Sequence, residues 1–216
     1  MSIYKSIHRY GIDEVTIQKS LFIGQCLPVE SDEEASAFIE KVKGEHKTAT
    51  HNCYGYVVGE QIQRFSDDGE PMHTAGMPIL NLLMAQDLRN VCVVVTRYFG
   101  GILLGKGGLV RAYTEGTKIA LDRGKVVEKE PYHTIQLGLD YGLLGPVENY
   151  ILNQGLYVAE KEYTEEVKLT LYIPERDYER RFVEFMNLTS GKAVVLQTNT
   201  VIRSTFEGSL YMAGEE

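Results

Sequence analysis

The chain has 216 residues and a formal net charge of −8, with 44% hydrophobic and 24% charged residues. That balance excludes disordered, collagen-like and fibrous chains, and the length fits one large domain or two small ones, with two expected. No run approaches the ~18 to 20 apolar residues that a bilayer span requires, and the N-terminal stretch lacks the apolar core of a signal peptide. A cytoplasmic protein with no membrane partner is therefore expected. The three cysteines, Cys26, Cys53 and Cys92, form no CxxC pair, so reduced and mostly buried thiols are the reading.

In chain order, the first strong element is an apolar strand over Ser20–Val29. A helix follows, capped by Ser31 with Glu34 completing a capping box, its core face set by Ala35, Phe38, Ile39 and Val42, and closed by Gly44. Asn52–Val58 and Gln61–Phe65 read as a hairpin that leads into the polar loop SDDGEPMHTAG. Met77–Leu88 is an apolar helical segment. Val91–Thr96 (VCVVVT) is apolar without alternation, as a central strand covered on both faces would be. It runs through RYF into the loop GGILLGKGG, which delivers a helix from about Leu109 to Arg123.

A charge shift and Pro131 place a domain boundary near Val126–Pro131, giving domains 1–128 and 129–216. Residues 1–128 carry 14 basic and 16 acidic side chains, whereas residues 129–216 carry 8 and 14. The second half reads strand, helix, strand, strand, helix, strand, which is the ferredoxin-like order βαββαβ. The whole chain is thus an α+β protein of two domains.

Between Arg97 and Lys125 the order of charges reverses: Arg97, Lys106, Arg111, Lys118, Arg123 and Lys125 stand against only Glu115 and Asp122. This is a basic island in an acidic protein. Inside it, Gly100 to Lys106 fits GxxxxGK, the phosphate cradle of P-loop proteins, but the next residue is Gly107 instead of Ser or Thr. No side chain oxygen is left to hold magnesium. What remains is an anion-binding geometry: Gly100, Gly101, Gly105, Gly107 and Gly108 free the backbone just before a helix N-terminus. Arg97, Lys106 and Arg111 are expected to surround it as one positive surface. The alternative is that the glycines serve tight packing of helix on sheet, with Arg111 paired to Glu115.

In the polar loop, Asp67, Asp68, Glu70 and His73 could share a cation or a proton. Equally, Asp-Asp-Gly is a favoured turn and Thr74 a candidate helix cap. His46, His51, Cys53 and His73 are zinc-ligand types without zinc spacing, and nothing around Cys53 suggests a nucleophile. Neither a metal nor a cofactor is expected.

The segments KSLFIG, ATHNCYGYVV, RFSDDGEP, TAGMPIL and, above all, VVVTRYFGGILLGKGGLVRAYTEG resemble the YigZ/IMPACT family over about Thr16 to Leu121. The remainder is similar to the small C-terminal domain of the family's bacterial branch. The resemblance implies a ribosomal-protein-S5-domain-2-like first domain and a ferredoxin-like second domain similar to the last domain of elongation factor G. It also implies a translation-related regulator, because eukaryotic IMPACT proteins restrain the starvation-kinase pathway by competing for its ribosome-associated activator scaffold. The partner expected here is RNA, the ribosome or a ribosome-associated protein, without DNA specificity. The family supplies no catalytic residues, and His73 stands where it usually has glycine. The alternative is an enzyme acting on a phosphorylated small molecule through the glycine loop and the SDDGEP loop.

Overall fold

The computed structural model describes residues 3–212 and divides into two compact units, Tyr4–Glu128 and a second that begins at Lys129. The first contains β1 (Tyr4–Ile7), β2 (Gly11–Ile17), β3 (Ser20–Pro28), α1 (Asp32–Glu45), β4 (His51–Val58), β5 (Ile62–Ser66), α2 (Gly76–Ala85), β6 (Val91–Tyr98) and α3 (Gly105–Gly124). Five of these strands form an antiparallel sheet in the order β2-β3-β6-β4-β5. Its central strand explains its own composition. Val91, Val93 and Val95 pack with Ile79, Leu83, Leu109 and Tyr113 of α2 and α3, whereas Cys92 and Val94 pack with Phe38 and Ile39 of α1. With both faces covered, β6 has no position for a polar side chain until Thr96.

Local signals account for α1. The Ser31 hydroxyl accepts from Glu34 N at 3.1 Å and the Glu34 carboxylate accepts from Glu30 N at 2.7 Å, while Ala35, Phe38, Ile39 and Val42 are all buried. The helix runs past Gly44, its expected stop, to Glu45. The strands β1 and β2 escaped the sequence reading. The β2–β3 hairpin turns on Gln18 and Lys19, at φ 45° and 67°, a left-handed pair that usually requires Asn or Gly.

No loop marks the boundary near Pro131, because β7 (Val126–Leu139) carries the chain through it. The second unit continues with α4 (Tyr141–Asn153), β8 (Tyr157–Tyr163), β9 (Val167–Pro174), a 3-10 turn, α5 (Tyr178–Leu188), β10 (Val194–Phe206) and β11 (Ser209–Leu210). The order β11-β10-β7-β9-β8 contains the fourth-first-third-second arrangement of a βαββαβ unit. Its core sets Ile135, Leu137, Leu139, Leu169, Leu171 and Ile173 of the sheet against Val147 and Ile151 of α4 and Phe185 of α5. The strict alternation along β9 has one face buried, so its period of two was visible in the sequence. The chain is thus α+β with two domains.

Candidate functional site

The polar loop after β5 folds around its first carboxylate. Asp67 Oδ1 accepts from Ala75 N (3.0 Å) and Gly76 N (2.8 Å), and Oδ2 accepts from His73 N (2.8 Å). Those donors include the opening N–H of α2, so Asp67 caps the helix from eight and nine residues upstream. Thr74, the expected cap, instead donates its hydroxyl to Pro71 O at 2.6 Å. Asp68 is also committed to structure, accepting from Asn52 N at 2.6 Å. The two aspartates therefore form no shared cation or proton site. His73 occupies a left-handed position at φ 61°, the conformation for which glycine is suited, and its ring packs edge-on to Phe65.

Glu70 is the member of this loop that turns inward. Its Oε1 accepts from Arg97 Nη1 at 2.6 Å and from the Tyr113 hydroxyl at 2.8 Å, with Glu70 and Arg97 both buried. Burial above all, reinforced by Cys53 and Glu70 beside it, pushes Tyr113 up and keeps it a hydrogen-bond donor. Arg97 lies against the rings of Phe22 and Phe99, each 5.4 Å from its guanidinium carbon. The expectation that Arg97 joins an exposed positive surface is corrected: β6 delivers it into the interior, where Glu70 answers its charge.

Lys106 and Arg111 do remain at the surface, and neither forms an ion pair among the described residues. Arg111 donates to Gly107 O at 3.3 Å, four residues back, so the pairing with Glu115 is not made. The segment read as a glycine loop is itself divided. Gly105, Lys106, Gly107 and Gly108 already belong to α3, whereas Gly100 and Gly101 precede it. No side chain caps the start of α3 and its first turn contains no acidic residue, which leaves its N–H groups and the positive end of its dipole without a counter-charge.

The glycines serve different ends. A Cβ on Gly100 would stand 1.9 Å from Lys19 O, so that position is fixed by packing against the β2–β3 turn. A Cβ on Gly107 would meet nothing within 4 Å, and its backbone has no left-handed requirement.

The two motif segments meet at one cavity of about 460 Å³. Thr50 and His51 at the start of β4, Gly69 to Pro71, Arg97, Phe99, and Leu103 to Lys106 with Leu109 line it. Hydrogen bonds tie its walls together: Thr50 N donates to Arg97 O (2.8 Å), Phe99 N to Thr50 Oγ1 (2.9 Å) and Gly100 N to Ser20 Oγ (3.1 Å). Phe99 and Leu103 at its rim are 46% and 86% exposed. In the sequence His51 stands out only beside Cys53 and as a zinc-ligand type, so its place in this wall is not legible there. Its one visible signal was the position two residues before Cys53 on the same strand face. Cys53 itself lies beneath, and burial raises all three thiols far above their ordinary range, which keeps them protonated and unreactive. Among the described residues no group of three or more His, Cys, Asp or Glu side chains is placed to hold a metal ion, and no helix is long and apolar enough to cross a membrane.

Fold and site together define a two-domain α+β protein with a largely apolar cavity, lined also by charged side chains, at an uncapped helix start. The Impact N-terminal domain matches residues 18–121, and a domain of unknown function, DUF1949, matches residues 137–192. The IMPACT family member YvyE of Bacillus subtilis (strain 168) is 42% identical over 193 residues, which is 88% of this chain and 88% of that protein. The chain belongs to the IMPACT family. Protein IMPACT of Danio rerio is 38% identical over 100 residues, which is 43% of this chain and 31% of that protein. A crystal structure described as a hypothetical protein covers 91% of this chain and 97% of its own at 32% identity, with a TM-score of 0.58.

Proposed function

We propose that this chain is a translation-linked regulator that binds single-stranded RNA, including RNA presented by the ribosome, through the cavity at the start of α3. The observation that carries the reading is the unanswered positive charge there. Lys106, Arg111 and the uncapped N–H groups of α3 face no carboxylate of the first turn, and a phosphate is the group that such a helix end accepts. The exposed Phe99, which lines the cavity with Lys106, offers a ring on which a base stacks. The net charge of −8, concentrated in the second domain, keeps non-specific contact low. Membership of the IMPACT family supports the link to translation, since the resemblance to eukaryotic members carries that role.

Gly107 supplies the test. In a helix, glycine in place of alanine costs roughly 0.5 to 1 kcal/mol, and nothing in the packing compensates for it here. Its use is to let a phosphate oxygen come close to the backbone. Gly107→Ala is therefore expected to raise the denaturation midpoint and to weaken RNA binding about tenfold, the loss of one charge-assisted hydrogen bond. A variant that is more stable and binds single-stranded RNA as well as wild type would remove the support for this site.

A further inference from the structure

The second unit has a cavity of its own, and one buried arginine in its wall is only half used. The cavity holds about 200 Å³, below the roughly 300 to 1,000 Å³ of sites for drug-sized ligands, so its occupant is small. Tyr132 of β7, Tyr157 of β8, Tyr172 of β9 and Arg181 of α5 line it, with Arg176 and Asp177 of the 3-10 turn between β9 and α5. Arg181 is 8% exposed. Its Nη1 donates to Gln154 Oε1 (2.6 Å), to the Tyr150 hydroxyl (3.1 Å) and to Glu184 Oε2 (3.1 Å). Nothing answers the other side of the guanidinium. Nε is buried with no hydrogen-bond partner, and Nη2 makes no hydrogen bond among the described residues. A buried donor left unpaired is costly, and more so on a charged group.

Nε and Nη2 make up the guanidinium edge that presents two parallel N–H groups, the fork that matches the two oxygens of a carboxylate. We propose that this cavity binds a small aromatic carboxylate, its two oxygens on Nε and Nη2 of Arg181 and its ring among Tyr132, Tyr157 and Tyr172. Every residue concerned belongs to the second unit, so this ligand does not depend on RNA binding by the first. The walls favour a flat apolar body: Tyr157 and Tyr172 stack with centroids 5.7 Å apart and 3° between their planes, and Tyr132 is buried beside them. Charge decides between carboxylate and phosphate. Asp177 puts a carboxylate in the same wall, and Arg176 is already held by Glu130 at 2.5 Å, which leaves one arginine edge for one negative charge. A phosphate group carries about −1.5 to −2 at neutral pH, and the excess would meet Asp177.

The experiment titrates benzoate, benzamide and inorganic phosphate separately into the full chain near neutral pH and follows the ¹⁵Nε–H resonance of Arg181. Benzoate is expected to bind saturably, with a Kd of about 1 mM or below, and to shift that resonance. Benzamide has the same shape but sets an NH₂ group against one of the two donors, so it should bind at least about tenfold more weakly. Arg181→Lys keeps the positive charge without the parallel pair of N–H groups, and should lose about tenfold or more in benzoate affinity. Should that variant fail to fold, the comparison of benzoate with benzamide on wild type carries the test alone. No saturable benzoate binding, equal binding of benzamide, an unmoved Arg181 Nε resonance, or benzoate affinity retained in folded Arg181→Lys each overturns the site. Tighter binding of phosphate at the same resonance overturns the choice of a carboxylate.

Discussion

Arg97→Met should destabilise the first unit by about 3 to 5 kcal/mol, the cost of leaving one member of a buried ion pair behind. Arg97 is 5% exposed and Glu70 8%, so neither charge has water to fall back on. With the guanidinium gone, Glu70 keeps only the Tyr113 hydroxyl on Oε1, and the contact with the Phe22 and Phe99 rings is replaced by a smaller apolar one. The pair also joins β6 to the loop that ends at α2, so its loss should be felt in both halves of the cavity wall. Adding Glu70→Gln removes the stranded charge, and the double variant is expected to recover part of the stability. Denaturant unfolding of the single and double variants measures both. A loss below about 1 kcal/mol in Arg97→Met would mean that the pair is solvated as a surface pair is.

Gly100→Ala is expected to cost about 3 kcal/mol or more, at the upper end of what overpacking does. The added methyl carbon would lie 1.9 Å from Lys19 O, 2.0 Å from Lys19 C and 2.5 Å from Ser20 N, all of them backbone. No side chain can swing aside, so the β2–β3 turn must move, and with it the Ser20 hydroxyl that accepts from Gly100 N and Arg97 Nη2. The same unfolding measurement that shows Gly107→Ala stabilised should therefore show Gly100→Ala strongly destabilised. If the two alanines behaved alike, the separation of a packing glycine from an open one would be wrong.

That separation could not be read from the sequence, where five glycines in nine residues look alike. What sequence reasoning captured was periodic or local. The apolar run of β6, the cap and buried face of α1, and the alternation through the second domain each repeat within a few residues, so their periods expose them. What it missed depends on partners far along the chain. Arg97 after a strand looks like a surface cation until Glu70, 27 residues earlier, is brought beside it. Asp67 looks like half of a carboxylate pair until it is seen to hold N–H groups eight and nine residues away. The start of α3 was placed late because Gly105, Gly107 and Gly108 have low helix propensity, and burial of Leu109, Ala112 and Tyr113 overrides it. The β2 strand was hidden because its left-handed turn is built from Gln18 and Lys19.

The most direct measurement is a titration of single-stranded RNA against wild type and Lys106→Gln/Arg111→Gln at several salt concentrations. Arg97 is left in place, since its charge is buried and answered by Glu70. Each single-strand phosphate contact contributes roughly 0.7 to the slope of log affinity against log salt. Losing two contacts should lower the slope by about 1.4 and weaken binding at every salt concentration, with the fold unchanged because neither side chain is in an ion pair. Equal affinity and equal slope in a folded double variant would contradict phosphate binding at the start of α3.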